Sequence, residues 1–219
     1  MIKENIIKII SELPEGVQLV AAAKSRTPDE MKEAIGAGLE IIGQNYVQEA
    51  ERARKAIGPC VKWHMIGHLQ SNKAKIAVRI FDMIETVDSM KLASAINSAC
   101  KEIGKVMPVL IEINSGEEGQ KAGVLPKDAL SLVQTMAKVQ NIRVMGLMTM
   151  GPFSDAPEDS RPYYKKTKTL FDELKSLNIK GVEMRYLSMG MSDSYRVAIE
   201  EGANLVRIGT MIFGERLKK

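Results

Sequence analysis

Val17-Gln-Leu-Val-Ala-Ala-Ala-Lys24-Ser-Arg26-Thr27-Pro28 decides how the rest of the chain is read. Its first half is a strand-length apolar run. Its second half starts a helix, with Thr27 placed to cap and Pro28 at the first helical position, and the helix runs to Ala37. The same unit recurs along the chain. Strand-like runs follow at Leu39–Gly43, Lys62–Ile66, Met83–Val87, Val106–Ile113, Arg143–Leu147, Met184–Ser188 and Asn204–Ile208. Helical patterns lie between them at Val47–Ile57, Ser71–Val78, Ser89–Ile103, Pro126–Val139, Arg161–Leu177 and Ser192–Glu201. This makes eight strands in strict alternation, each but the last followed by a clear helix. Alternation of this kind predicts a parallel sheet with helices outside it, and eight repeats fit a (β/α)8 TIM barrel of α/β class. The 219 residues are few for a barrel, and a doubly wound open sheet is the competing architecture. Ile2, Ile6, Ile9, Ile10 and Leu13 add an amphipathic helix at the N-terminus.

Composition narrows the class. Hydrophobic residues make up 45% and charged residues 26%, an ordinary globular mix, and residues 1–219 read as a single domain. A net charge of +4 argues for neither nucleic acid nor membrane as a partner. The basic run Tyr163-Tyr-Lys-Lys-Thr-Lys168 falls on a helix and reads as a solvated face. Charges interrupt Met1–Ile10 too often for a signal peptide or a membrane span. Cys60 and Cys100 form no disulfide framework, so the expected setting is the cytoplasm. His64 and His68 straddle a strand end and a glycine turn without an evident third ligand, so no metal is expected. Gly151–Pro162 is the one long irregular stretch, either a lid over the active face or a plain surface loop.

In a barrel, chemistry comes from the C-terminal ends of the strands. Alternation along the first strand puts Val20, Ala22 and Lys24 on one face, which aims Lys24 inward at the mouth. A lysine there loses hydration as a cation, which favours the neutral amine that attacks aldehydes. The competing reading is a lysine that ends a strand and snorkels to water. Asn45, after the second strand, is a mouth hydrogen-bonding group or a helix N-cap. The seventh and eighth strands end in Ser188-Met-Gly-Met-Ser192-Asp193 and Arg207-Ile-Gly209-Thr210. Small residues and hydroxyls beside new helix starts make Ser188, Ser192, Gly209 and Thr210 phosphate candidates. Arg207 alternates inward with Leu205 and needs an acceptor there, either a ligand or a buried acid. Met184, Met189, Met191 and Met211 read as core filling.

Taken in order, several motifs resemble those of the pyridoxal-phosphate homeostasis protein family. They are Val20-Ala-Ala-Ala-Lys24-Ser, Gly43-Gln-Asn45-Tyr-Val-Gln-Glu49, His64-Met-Ile-Gly67-His-Leu-Gln-Ser-Asn72-Lys73, Gly146-Leu-Met148, Ser188-Met-Gly-Met-Ser192-Asp193 and Val206-Arg-Ile-Gly-Thr210-Met-Ile-Phe-Gly214. They span nearly the whole chain, and the combination is far more specific than any one of them. The resemblance implies a barrel like the alanine racemase N-terminal domain, with pyridoxal 5′-phosphate held as a Schiff base on Lys24. It implies phosphate contacts from the serine-rich and Arg-Ile-Gly-Thr segments, with Arg207 facing the pyridine nitrogen. Two positions depart from the family pattern: Gln44 stands where glutamate is common, and His68 where proline is common.

The expected function is to carry or buffer the cofactor without turnover. An arginine at the pyridine nitrogen keeps it unprotonated and weakens the electron sink that most such enzymes use. A racemase also needs a second base, which the alanine racemase arrangement takes from an added β-domain and a partner subunit. The chain stops at Lys219, soon after the eighth strand, so no such domain is expected. A pyridoxal-phosphate amino-acid racemase is the alternative, and a class I aldolase-like barrel using a lysine Schiff base is a third. The expected partners are pyridoxal phosphate, related B6 vitamers and, transiently, apo forms of pyridoxal-phosphate enzymes, with the chain itself a monomer. Lys121, after the fifth strand, is a candidate second acceptor during transfer.

Overall fold

The computed structural model describes residues 1–152, 154 and 156–215. Eight parallel strands close into a barrel in the order β1-β2-β3-β4-β5-β6-β7-β8, which resolves the choice between barrel and open sheet. The strands are β1 Gln18–Ala22, β2 Ile41–Gln44, β3 Lys62–Met65, β4 Met83–Val87, β5 Met107–Ile113, β6 Ile142–Thr149, β7 Val182–Ser188 and β8 Leu205–Ile208. The helices are α1 Ile2–Glu12, α2 Pro28–Gly36, α3 Val47–Ile57, α4 Ala74–Ile80, α5 Met90–Glu102, α6 Pro126–Met136, α7 Arg161–Ser176, α8 Tyr195–Glu200 and α9 Thr210–Phe213. Closure comes from β1 pairing with both neighbours, Val20 opposite Ile41 on one side and Arg207 on the other.

The period of two in each strand divides the apolar residues into two layers. Val20, Ile41, Ile66, Met83, Leu110, Met145, Met148 and Leu205 fill the barrel itself. The alternate positions, among them Leu19, Ala21, Ile42, Trp63, Ile84 and Val206, pack outward against the helices. Each fully buried side chain of this size contributes roughly 1.5–3 kcal/mol, so both layers resist a one-residue slip in register. The N-terminal helix α1 buries Ile6 and Ile9, and Asn5 Nδ2 donates to the carbonyl of Ile212, tying α1 to α9.

Three local expectations change. The strand carrying Lys24 ends at Ala22, so the lysine lies in the turn that follows. The eighth strand does have a helix after it, the four-residue α9. The segment expected as helix over Ser71–Val78 starts as a 3-10 turn at Ser71–Lys73 before α4 begins. Within Gly151–Pro162, Phe153 and Asp155 lie outside the described residues. The remainder contains a 3-10 turn at Pro157–Ser160 and the first residues of α7. Arg161 anchors this end by bonding Glu158 and, at 2.6 and 2.5 Å, Glu200 and Glu201 at the end of α8. Among the described residues, no helix is long and apolar enough to cross a membrane.

Candidate functional site

Lys24 sits half-buried at the barrel mouth, two residues beyond Ala22. The chain turns there through Ser25, whose φ of +60° is a left-handed conformation that costs a non-glycine residue about 1–2 kcal/mol. Three neighbouring elements hold the turn. Ser25 N–H donates to Glu49 Oε2 of α3 at 3.0 Å. Arg26 donates to the carbonyls of Phe213, at 2.9 Å, and Gly214 at the end of α9. Thr27 and Glu30 form a reciprocal capping box that starts α2. On the outer side of β2, buried Gln44 donates from Nε2 to the carbonyl of Ala23 at 3.2 Å. A glutamate there could make this bond only when protonated.

Register places the flanks of the lysine. Ala22 lies opposite Gly43, and two residues on from each are Lys24 and Asn45. Asn45 is half-buried, and α3 is capped at Tyr46 without a side-chain bond, so Asn45 is not its N-cap. Gly67 crowds Asn45 so closely that a Cβ on it would stand 2.5 Å from the Asn45 carbonyl oxygen. On the other flank, a Cβ on Gly209 would stand 3.2 Å from the carbonyl of Ala22. A side chain there would need the Ala22 backbone to give by a few tenths of an ångström. Ser192 Oγ accepts from the N–H groups of Gly209 at 3.2 Å and Met211 at 3.4 Å. Two backbone donors thus converge on one oxygen beside the exposed Thr210.

Below the mouth, a polar chain crosses the barrel. His64 Nδ1 bonds Glu85 Oε1 at 2.7 Å. Ser188 Oγ donates to Glu85 Oε2 at 2.6 Å and accepts from Arg207 Nη1 at 2.5 Å. Arg207 Nη2 donates to the carbonyl of Thr149 at 2.8 Å. Burial pushes the Glu85 carboxyl up, but His64, Arg207 and Ser188 outweigh it and hold the group below the ordinary carboxylate value. Glu85 is therefore the anion of the network, and His64 must carry its proton on Nδ1. Glu112 on β5 behaves oppositely. Burial first, and the charge of Asp88 second, push it up to about 7 against the opposing charge of Arg207.

Lys24, Asn45, Ser192, Gly209 and Thr210 are thus gathered at the mouth, while Ser188 and Arg207 lie in the interior, buried. The Ser188 hydroxyl is engaged with Glu85 and Arg207 and stands apart from the other phosphate candidates. Arg207 bonds a hydroxyl and a backbone carbonyl, with the buried acid one residue further along the chain of bonds. Lys121 is exposed and paired with Glu118 at 2.6 Å. Glu85 and Glu112 were not among the expected site residues, although Met83-Ile-Glu85 and Leu110-Ile-Glu112 put a charge at an inward strand position. That parity is the signal that finds them. His64, read first against a metal, belongs to this network. Among the described residues, no three His, Cys, Asp or Glu side chains cluster to hold a metal ion.

Residues 1–217 match the family described as "Alanine racemase, N-terminal domain". The pyridoxal phosphate homeostasis protein of Aquifex aeolicus is 40% identical over 200 residues, covering 91% of this chain and 87% of that protein. PipY of Synechococcus elongatus, solved without PLP, superposes with a TM-score of 0.92 at 32% identity and covers 98% of this chain and 100% of its own. The structure of PipY with PLP bound gives 0.90 at the same identity and coverage. The chain belongs to the alanine racemase N-terminal domain family and, within it, groups with the pyridoxal phosphate homeostasis proteins.

Proposed function

We propose that this protein binds pyridoxal 5′-phosphate as a Schiff base on Lys24 and carries or buffers it without turnover. The observation that carries this reading is the convergence at one barrel mouth of Lys24 with the donors of Ser192, Gly209 and Met211, brought together where Gly209 meets Ala22. The residues fit the cofactor. A small-residue cradle and backbone N–H groups suit a phosphate, and an amine at the adjoining strand end suits an aldehyde. Asn45 supplies a neutral donor and acceptor on the other flank.

When bound, the cofactor supplies an electron-withdrawing ring and an electrophilic aldehyde. The chain's own residues hold it. Lys24 would hold the cofactor at its aldehyde carbon, the amine displacing the carbonyl oxygen as water. Ser192, Gly209 and Thr210 would hold the phosphate. Arg207 has five N–H donors, two of them engaged by Ser188 and Thr149. An arginine would offer N–H donors to a pyridine nitrogen without protonating it. Ser188 and Glu85 keep the guanidinium in place, so we assign Ser188 a supporting role in the cofactor site. Racemases share an arginine at this nitrogen, so the weak electron sink does not separate the two readings, and carrying is favoured instead by the 40% identity to a protein named for pyridoxal phosphate homeostasis.

The test is the visible absorption of purified protein titrated with pyridoxal phosphate. A Schiff-base band is expected for the wild type and none for Lys24→Ala, with circular dichroism showing that the variant folds. An unchanged band in the variant would reject the assignment. Exchange of an amino acid's α-proton with deuterated water, catalysed by the loaded protein, would replace the carrier by a racemase.

A further inference from the structure

Glu112 is an ionisable group of the barrel interior that the cofactor reading leaves without a task. Glu112 alternates inward with Leu110 on β5, on the side of the closed barrel opposite β1. It is 8% exposed, and its Oε2 is buried without a hydrogen-bond partner. Two other buried side-chain atoms share that lack among the described residues, Gln44 Oε1 and Trp63 Nε1. Both belong to the outer layer, against the helices. A buried carboxyl oxygen without a donor is costly, and in a site it marks where a ligand's donor belongs.

The charges that face Glu112 indicate which donor. Asp88, just past the end of β4, raises its proton affinity, and Arg207 from β8 lowers it. Its register neighbour on β6 is the uncharged Met148. Two acids facing each other are completed by a cation bearing several N–H groups. Asp88 also lines a cleft of about 740 Å³, together with His68, Asn72 and Lys91, so its carboxylate side is open to a small molecule.

We propose that Glu112 and Asp88 form a subsite for the primary ammonium group of a small ligand, on the side of the barrel opposite β1. The ammonium belongs to an amino acid or to an amine form of the vitamer. The purpose of the subsite rests on the cofactor reading above, but its existence is read from Glu112 and Asp88 alone.

Calorimetry on the cofactor-free full chain tests it, with L-alanine and pyridoxamine phosphate as probes and propionate as the counterpart without an amine. Binding of the ammonium is expected to deprotonate Glu112. Proton release per ligand, read from heats in buffers of different ionisation enthalpy, should be larger at pH 6 than at pH 8, because burial and Asp88 raise the carboxyl's proton affinity. Glu112→Gln should weaken binding at least tenfold and abolish the release. Asp88→Asn, at a more exposed position, should weaken both in part. Binding of L-alanine alone identifies an amino-acid subsite, and binding of pyridoxamine phosphate alone an amine-vitamer subsite. No binding by either amine, equal binding of propionate, or an unchanged proton count in both variants would overturn the proposal. Protein that binds amines but forms no Lys24 adduct would overturn the cofactor reading alone, and protein that forms the adduct without amine heat would overturn the subsite alone.

Discussion

At the scale of single residues, the site depends on which buried charges are balanced. Glu85 is fully buried and stays ionised because Ser188, His64 and Arg207 surround it. Removing one partner of such a set leaves an uncompensated charge and costs about 3–5 kcal/mol. Arg207→Met is therefore expected to lose stability on that scale in urea unfolding, and a loss below 1 kcal/mol would contradict the network. The inward face of Arg207 was legible in the sequence, because Leu205 sets the parity of its strand. Lys24, by contrast, lies beyond the end of β1, where strand parity no longer fixes a direction. The partner of Ser188 was not legible either. Ser188 and Glu85 are 103 positions apart, and only closure of the barrel brings β4 and β7 to face each other. Reading Ser188 as a mouth residue followed from its place at a strand end, which does not tell depth along the barrel axis.

At the scale of elements, the lysine turn is held by its neighbours. The capping box begins α2 three residues after Lys24, and Arg26 reaches the last turn of α9 and stacks 5.5 Å from the Phe213 ring. Thr27→Ala should cost about 1 kcal/mol through the lost cap. It should also loosen cofactor retention, seen as faster dissociation of pyridoxal phosphate on dilution. Unchanged dissociation would mean that α2 does not help to hold the turn. Most elements were legible from periodicity: β4 matches its expected bounds, and β5 and β8 differ by a residue at one end. The helix after β8 was not legible, because four residues are too few to show a helical repeat. Its start at Thr210 was visible only as a Gly-Thr step.

At the scale of the whole molecule, the two interior carboxyls make opposite contributions to the pH dependence of folding. Glu85 has a lowered value, so its stabilisation is complete above the unfolded value and is lost as pH falls through the folded one. Glu112 is raised from its ordinary 4.5 to about 7. The folded chain then holds a proton that the unfolded chain gives up, so stability falls as pH rises from about 4.5 to about 7 and is level above that. At about 1.4 kcal/mol per pH unit the fall approaches about 3 kcal/mol. Glu112→Gln lacks this titration, so wild-type stability relative to the variant should drop between pH 5 and pH 8. A difference independent of pH would show that Glu112 ionises normally in the folded protein.

On the proposed function, one lysine in the turn after the first strand anchors the cofactor. Borohydride reduction of the protein loaded with pyridoxal phosphate, followed by peptide mass mapping, tests it most directly. A single reduced pyridoxyl adduct, on Lys24, is expected. An adduct on another lysine, Lys121 included, with Lys24 unmodified would contradict it.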